Sequence, residues 1–153
     1  RPHAQFWIVG SEPSERVRAL TLISGVHVTG QVDDVRPYVR SATVFVCPLR
    51  VGSGVKNKIL AAMAMQKATV ATSISIDGLD LADNREVLLA DDPQDFADKV
   101  VRLLTDQQAA QQLGVNGLAR VQGQYSWAAM GKMLETAIQS MLASRNGRAH
   151  QVR

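Results

Sequence analysis

The sequence is short of the residues that build several common kinds of site. Its 153 residues include one cysteine, Cys47, and only 5% are aromatic. A single cysteine excludes an internal disulfide and a multi-cysteine metal site. It lies in the apolar run "ATVFVCPL", where we expect a buried, inert thiol. No apolar stretch approaches the ~18–20 residues of a membrane-spanning helix. The formal net charge of +3 is too small to indicate a nucleic-acid partner, so we predict none.

What the sequence does contain is a regular alternation of strand-like and helix-like segments. Hydrophobic residues make up 46% of the chain, and the length is that of one domain. Between the strand-like runs, apolar residues follow helical spacing. The strand-like runs are "AQFWIVG", "GVHVTG", "TVFVCPL", "ATVATS" and "EVLLA". This alternation predicts an α/β fold, a doubly wound parallel sheet of about five strands with helices on both faces.

Three helical segments are predicted to close the chain. In the last one, "SWAAMGKMLETAIQSMLAS", apolar residues form one stripe: Trp127, Met130, Leu134, Ile138 and Met141. We interpret this stripe as packing against the sheet or another domain, and not as a cofactor site. Residues 145–153 form a basic tail that we expect to be frayed. The predicted domain therefore covers residues 1–144.

One short stretch, "VGSGVKNK" at residues 51–58, carries a chemical signal. It follows the third strand-like run, at the edge where doubly wound sheets bind ligands. Gly52 and Gly54 allow close backbone approach, and the free N–H groups of a helix start attract anions. Lys56 and Lys58 place positive charge in the first turn of the helix, where the helix dipole favours acidic residues. This unfavourable placement indicates a bound phosphate. The alternative is that Ser53 caps the helix and both lysines are solvated. The stretch matches neither the Walker pattern nor G-x-G-x-x-G.

A longer segment resembles a known family. "VHVTGQVDDVRPYVRSATVFVCPLRVGSGVKNKILAAMAMQKATVATS" is similar to the donor-binding half of GT-B glycosyltransferases of the family-four kind. Within them it looks closest to bacterial sugar transferases linked to exopolysaccharide gene clusters. The likeness continues in "IVG", "REVLLADDPQDFADKVVRLL" and "YSW", so it covers nearly the whole chain. It implies a Rossmann-like C-terminal domain that binds a nucleotide-diphospho-sugar for transfer to a glycan or a lipid-linked acceptor.

The resemblance also implies roles for individual residues. Gly30, Gln31 and Val32 would lie beside the nucleotide base, with Asp33 and Arg36 near that pocket. Backbone N–H groups of residues 53–55 would meet the diphosphate, with Lys56 close by, and would stabilise it as the leaving group. The nucleotide-sugar-binding residues that the resemblance implies are Gly30, Val32, Asp33, Arg36, Arg50, Ser53, Gly54, Val55, Lys56, Asn57 and Ala61. No catalytic residue is assigned. We expect a UDP or GDP type of donor, no other cofactor and no metal.

The chain departs from the family pattern in two respects. The family often has two Glu residues eight apart around this turn, and the second meets the ribose; these positions hold Ser53 and Ala61. A binding-only or degenerate module is therefore the alternative function. The chain is also expected to lack the first strand of its domain and the N-terminal acceptor domain, so that the fragment alone is inactive.

The resemblance further implies a location and partners for the full protein. We expect a cytoplasmic enzyme, with peripheral association at the inner face of the membrane as an option. A dimer of the fragment is another option, because it would cover leftover apolar surface.

Several other polar groups have simpler structural interpretations. The acid pairs Asp33-Asp34 and Asp91-Asp92 are interpreted as loop solvation and helix capping rather than metal ligands. His27 alternates with valines on a strand and is interpreted as structural. Asp77-Gly78 is predicted to be a turn, with a sugar contact as the alternative.

Overall fold

A computed structural model describes residues 4–149 of the chain, and its side chains as far as residue 142. The strands are β1 (Phe6–Val9), β2 (Val26–Gly30), β3 (Val44–Cys47), β4 (Ala68–Ala71) and β5 (Leu88–Leu89). The helices are α1 (Glu15–Ala19), α2 (Arg36–Ser41), α3 (Asn57–Ala64), α4 (Pro93–Thr105), α5 (Gln107–Arg120) and α6 (Trp127–Ala149). Single 3-10 turns at Leu20–Leu22 and Ser73–Ile76 and a π-helical turn at Val121–Tyr125 complete the regular structure of this range.

Every strand pairs in parallel, which requires a crossover between consecutive strands. β1 pairs with β2, with Phe6 opposite Val26. β4 lies between β3 and β5 in a second sheet. The predicted α/β class, with parallel strands and intervening helices, is confirmed. One feature was not predicted: within residues 4–149 the five strands form two hydrogen-bonded sheets, since no ladder joins β1 to β3.

The core lies on the two faces of the β3–β4–β5 sheet, because the side chains of each strand alternate between them. One cluster packs α3 on the sheet and contains Cys47, Ile59, Met63, Ala71, Leu79, Leu81 and Val87. The other packs α4 and α5 on the opposite face and contains Ala68, Val70, Leu88, Leu103, Ala110 and Leu113. Helices therefore cover both faces, as predicted, and Cys47 is a buried free thiol.

The N-terminal part of the chain has no comparable core. None of residues 4–46 is buried. Phe6 and Trp7 on β1 are 43% and 50% exposed. The Trp7 ring stacks on His27 at a centroid distance of 4.3 Å, which supports the structural interpretation of His27. The β1–β2 sheet thus retains apolar surface that its own helices leave uncovered.

The last helix excludes one of the two predicted packing surfaces. Trp127 and Leu134 of the apolar stripe are 94% and 63% exposed, so the stripe does not pack on the sheet, and its packing on another domain stays a prediction. The backbone is extended at Ser126, which ends the π-helical turn at Val121–Tyr125. Because α6 starts directly after this point, its main contacts are with that turn. The backbone of residues 145–149 continues α6, so this part of the predicted tail is helical in the structure. Residues 150–153 lie outside the described residues. Within residues 4–149 no helix has the length and hydrophobicity to cross a membrane.

Candidate functional site

The predicted anion-binding turn connects β3 to α3. Gly52 and Gly54 have φ angles of +141° and +73°, which favour glycine over residues with a side chain. α3 begins without a side-chain cap and without an acidic residue in its first turn. The N–H groups of a first helical turn generally have no intrahelical acceptor; Ile59 N here donates to the Lys56 carbonyl at 2.9 Å, which leaves the N–H groups before it for a ligand. Ser53 is exposed and does not cap α3, so the alternative in which it caps the helix is wrong.

Lys56 is folded under this turn. Lys56 is buried, with only 8% of its surface exposed, and its ammonium donates a hydrogen bond to the Gly54 carbonyl. A Cβ placed on Gly52 would lie 3.5 Å from Lys56 Cε, which shows how closely the side chain follows the turn. Burying an ammonium is costly unless it is paired. Lys58, by contrast, is exposed, so the two lysines that look alike in the sequence differ in their environment.

Two buried hydroxyl groups support the base of the turn. Ser75 Oγ donates to the Cys47 carbonyl at 2.7 Å, and Thr72 Oγ1 donates to the Leu49 carbonyl at 2.6 Å. The two oxygens are 2.7 Å apart. They link the end of β3 to the end of β4, which fixes the point where the turn begins. These two hydroxyls were not predicted, although the three hydroxyl residues of "ATSIS", directly after a buried strand, were a usable signal.

Ala61 lies on the open side of α3. Ile59, Ala62 and Met63 are fully buried, whereas Asn57 and Ala61, one turn apart, are both exposed. Position 61 therefore faces the same side as the exposed start of the helix. The expected position of Ala61, one turn beyond Asn57 and on a similar face, agrees with the structure, and its role toward a ribose stays a prediction.

A second loop adjoins the turn at Gly78. This residue has a φ angle of +80°, and Leu79 N donates to the Ile76 carbonyl at 2.8 Å. The predicted turn at Asp77-Gly78 is therefore confirmed. A Cβ on Gly78 would lie 3.5 Å from Val55 Cγ2, so this turn borders the candidate site. The neighbouring residue, Asp77, is exposed.

The residues implied near the nucleotide base lie on a separate loop. Gly30 ends β2 with a φ angle of +71°, Val32 is half-buried, and Asp33 is exposed. Arg36 Nε bonds both carboxylate oxygens of Asp34, at 2.9 and 3.0 Å, which lowers the pKa of Asp34. Within residues 4–149 no hydrogen bond or ion pair joins residues 30–36 to residues 50–57. Arg50 is exposed at the start of the turn. The structure thus brings residues 52–57 together and leaves the base-side residues as a second group.

The second acid pair has the structural role that was predicted. Asp92 Oδ1 accepts hydrogen bonds from the N–H groups of Gln94 and Asp95, at 2.8 and 3.0 Å, and so caps α4. Asp91 accepts hydrogen bonds from both the hydroxyl and the N–H of Ser73, at 2.6 and 2.8 Å. The Ser73 hydroxyl is the main cause of the lowered pKa of Asp91.

A surface groove lies on another part of the domain, beside α5. Its lining includes Arg85, Glu86, Asn116, Arg120 and Gln124. Glu86 is only 3% exposed and pairs with Arg120 at 3.0 Å, a hydrogen bond that raises the pKa of Arg120. Glu86 also accepts from Ala82 N at 2.9 Å. Because these charges are already paired, we assign them the structural role of fastening α5 to the loop before β5. The sequence analysis did not identify this ion pair.

These features together define a class of protein. A parallel α/β domain with an uncapped helix start, a glycine turn and a lysine folded beneath it is of the class that binds anionic ligands at the carboxyl edge of its strands. Residues 1–106 match the family described as "Glycosyl transferases group 1". Because the match covers more than half of the chain, the chain belongs to this family. Among curated proteins, none matches the chain.

Solved glycosyltransferase structures share the fold. The C-terminal domain of the group 1 glycosyltransferase LpcC from Francisella tularensis is 23% identical, with 74% of this chain and 60% of that chain covered and a TM-score of 0.64. Sucrose-phosphate synthase from Thermosynechococcus elongatus is 24% identical, with 92% and 39% covered and a TM-score of 0.72. HepE from Anabaena in complex with UDP is 14% identical, with 92% and 42% covered and a TM-score of 0.78. The chain therefore spans less than two thirds of the length of each of these proteins.

Proposed function

We propose that this chain is the nucleotide-sugar-binding domain of a glycosyltransferase that acts on a glycan or lipid-linked acceptor. The observation that carries the proposal is the Lys56 ammonium held beneath the Gly52–Gly54 turn at the uncapped start of α3. Membership of the group 1 family supports a sugar-transfer reaction. A nucleoside diphosphate is the part of the donor that this turn would hold.

We further propose a donor type and a pathway. HepE, of the same fold, was crystallised with UDP, which supports a UDP-type donor over a GDP type. The similarity of the central block to exopolysaccharide-associated transferases supports a role in exopolysaccharide assembly at the cytoplasmic face of a bacterial membrane. The acceptor-binding residues would then lie in a second domain, outside these 153 residues.

The chemistry of the turn fits the departure of a diphosphate. Breaking the sugar–phosphate bond places positive charge on the anomeric carbon and negative charge on the leaving group. N–H groups at the start of α3 and the Lys56 ammonium are fixed before the reaction, so they stabilise the developing charge with little reorganisation. Ligand binding would replace the Gly54 carbonyl as the main partner of the ammonium. The residues of this chain thus supply the leaving-group half of the reaction.

Isothermal titration calorimetry of the Lys56→Met variant with UDP tests the proposal. Loss of one charge-assisted hydrogen bond costs about 1.5–3 kcal/mol, so we expect the Kd for UDP to rise about 10- to 150-fold. Lys58→Met is the matched control, because Lys58 is exposed in the same helical turn and should matter much less. Thermal unfolding checks that both variants fold. Equal UDP affinity in the Lys56→Met variant and the parent would remove Lys56 from the site.

A binding-only domain is the second candidate, and Ala61 favours it. The alanine is exposed, and its side chain cannot accept a hydrogen bond from a ribose hydroxyl. A domain that keeps the diphosphate turn but has weak ribose recognition would hold nucleotides without supporting transfer. A sugar-transfer assay on the polypeptide that the natural gene encodes separates the candidates: product formation excludes the binding-only role, and UDP binding without turnover supports it.

A further inference from the structure

The side chain of Tyr125 contacts a loop that lies 45 residues earlier in the chain. Tyr125 ends the π-helical turn that follows α5, and turns of this kind are rare and often occur at functional sites. Its hydroxyl accepts a hydrogen bond from Asp80 N at 2.7 Å. Its half-buried ring packs on the core cluster that contains Leu79 and Leu81. Tyr125 therefore holds this loop through both its ring and its hydroxyl.

The loop, residues 77–82, depends on side chains for part of its hydrogen bonding. The N–H of Asp80 donates to the Tyr125 hydroxyl. The N–H of Ala82 donates to the Glu86 carboxylate at 2.9 Å. Backbone N–H groups are strong donors that native structures keep paired. Removal of the Tyr125 hydroxyl would therefore take away the protein acceptor of the Asp80 N–H and release the middle of the loop.

The carboxylate of Asp80 is held more weakly than its N–H. It accepts hydrogen bonds from Arg120 at 3.2 Å and from Gln124 at 3.4 Å. The Asp80 side chain is 78% exposed, and exposed ion pairs contribute little to stability. Arg120 also pairs with the buried Glu86 at 3.0 Å, which fastens the far end of the connection. The bond from Asp80 N to Tyr125 is thus the contact that fixes the middle of the loop.

The near end of the loop lies against the glycine turn. Gly78 is two residues before Asp80, and a Cβ placed on it would lie 3.5 Å from Val55 Cγ2. Val55 directly follows Gly54 and precedes the buried Lys56. A displacement of the loop would therefore change the surface on which the Val55 side chain packs. The contacts form a continuous path from the Tyr125 hydroxyl through Asp80 and Gly78 to Val55.

We propose that Tyr125 is a positioning residue for the turn at residues 52–56. It does not touch the ligand; its hydroxyl fixes the loop, and the loop supports Val55, whose backbone N–H belongs to the turn. The identity of the ligand as a nucleoside diphosphate rests on the proposed function. When the loop is released, the turn has more conformations available, and part of the binding free energy is used to order it. Loss of the hydroxyl therefore weakens binding without removing a contact to the ligand.

The variant Tyr125→Phe tests this role, because it removes the hydroxyl and keeps the ring that packs on the core. Asn116→Ala is the matched control. It removes the 2.8 Å hydrogen bond from α5 to the Arg85 carbonyl, at the other end of the same connection. In the unliganded chain we expect the backbone amide resonances of Val55 and Lys56 to shift in Tyr125→Phe and to stay unchanged in Asn116→Ala. Thermal unfolding checks that both variants fold.

Calorimetry with UDP gives the second measurement. The net effect of one neutral hydrogen bond corresponds to about a 2- to 12-fold change in an equilibrium constant. We expect the Kd for UDP to rise within this range in Tyr125→Phe and to match the parent in Asn116→Ala. The effect should be smaller when Tyr125→Phe is combined with Val55→Ala, because the second change removes the contact that links the loop to the turn.

Three results would overturn the proposal. Resonance changes confined to residues 79–81, with the UDP affinity of the parent, mean that Tyr125 only stabilises the fold. Equal changes at Val55 in the Asn116→Ala variant mean a general loosening of the domain. An unreduced effect of Tyr125→Phe in the Val55→Ala background means that the path does not run through Val55. If the parent chain does not bind UDP, the proposed function fails, and the resonances of Val55 and Lys56 still decide whether Tyr125 positions the turn.

Discussion

The substitution Ala61→Glu offers a gain-of-function test of the nucleotide site. Position 61 is four residues after Asn57, which places it about 6 Å further along the helix axis. It is exposed on α3, whereas Ala62 beside it is fully buried. A glutamate at position 61 meets no core atoms, and glutamate is a good helix former. The variant should therefore fold normally and present a carboxylate to a ribose hydroxyl.

The expected gain follows from the strength of the new bond. A hydrogen bond to a charged group contributes about 1.5–3 kcal/mol, which is about 10- to 150-fold in Kd for UDP. Two effects oppose it. Lys58 lies three residues earlier and can pair with the new carboxylate for about 0.2–0.5 kcal/mol. Repulsion from the diphosphate is about 1 kcal/mol at 4 Å in bulk water. The pairing with Lys58 is weaker than the expected new hydrogen bond, and binding of inorganic diphosphate measures the repulsion.

Calorimetry with UDP and with inorganic diphosphate separates these contributions. We expect tighter UDP binding in the Ala61→Glu variant, and inorganic diphosphate binding that is unchanged or slightly weaker. Ala64→Glu is the matched control, because it adds the same charge at an exposed position of the same helix. Ala64 lies three residues further than Ala61 from the start of α3. If Ala61→Glu gains nothing for UDP, either another residue holds the ribose or the domain does not bind nucleotide sugars, and the role assigned to position 61 is withdrawn.

Three further predictions concern stability and assembly. A Cβ at Gly114 would lie 2.3 Å from the Gln66 carbonyl oxygen, so Gly114→Ala should lower the free energy of unfolding by about 1–3 kcal/mol. Gly131→Ala is the control, because its Cβ would meet no atom within 4 Å and should not destabilise the protein. Equal urea denaturation curves for the Gly114→Ala variant and the parent would contradict the packing of α5. Because the folded-state pKa of Asp91 is lowered, its contribution to stability is present above the ordinary carboxylate pKa and is lost as the pH falls through the folded pKa. Asp91→Asn should therefore reduce the acid sensitivity of the melting temperature below about pH 5, and an unchanged pH profile would contradict this. The exposed face of α6 predicts self-association that Leu134→Lys weakens, and sedimentation velocity showing a strict monomer of the parent chain would contradict it.

Much of the fold could be predicted because its signals are local. The apolar run that becomes β4 is fully buried, and the run that becomes β3 is half-buried apart from its buried last residue; uninterrupted apolar runs of this length are typical of parallel strands. Two glycines in one turn indicated the unusual backbone at residues 52–54, which the structure confirms. Asp92 before a proline indicated the start of α4. Each of these inferences needs only neighbours in the sequence.

The remaining features depend on residues far apart in the chain. The sequence does not distinguish Lys56 from Lys58, because burial of the first depends on how the turn folds back over it. The Glu86–Arg120 pair joins residues 34 positions apart. The apolar stripe of α6 indicates that something packs there, yet it does not tell which surface does. The division of the five strands of residues 4–149 into two sheets likewise depends on pairing between distant segments and has no local signal.

The most direct test of the diphosphate site is to map UDP onto the chain by nuclear magnetic resonance. The isotope-labelled protein is titrated with UDP, and the backbone amide resonances are followed residue by residue. We expect the largest shifts at residues 53–57, where the turn meets the start of α3, and the same shifts with inorganic diphosphate at residues 53–56. Shifts confined to the groove around Arg120, or no shift at a large excess of UDP, would contradict it.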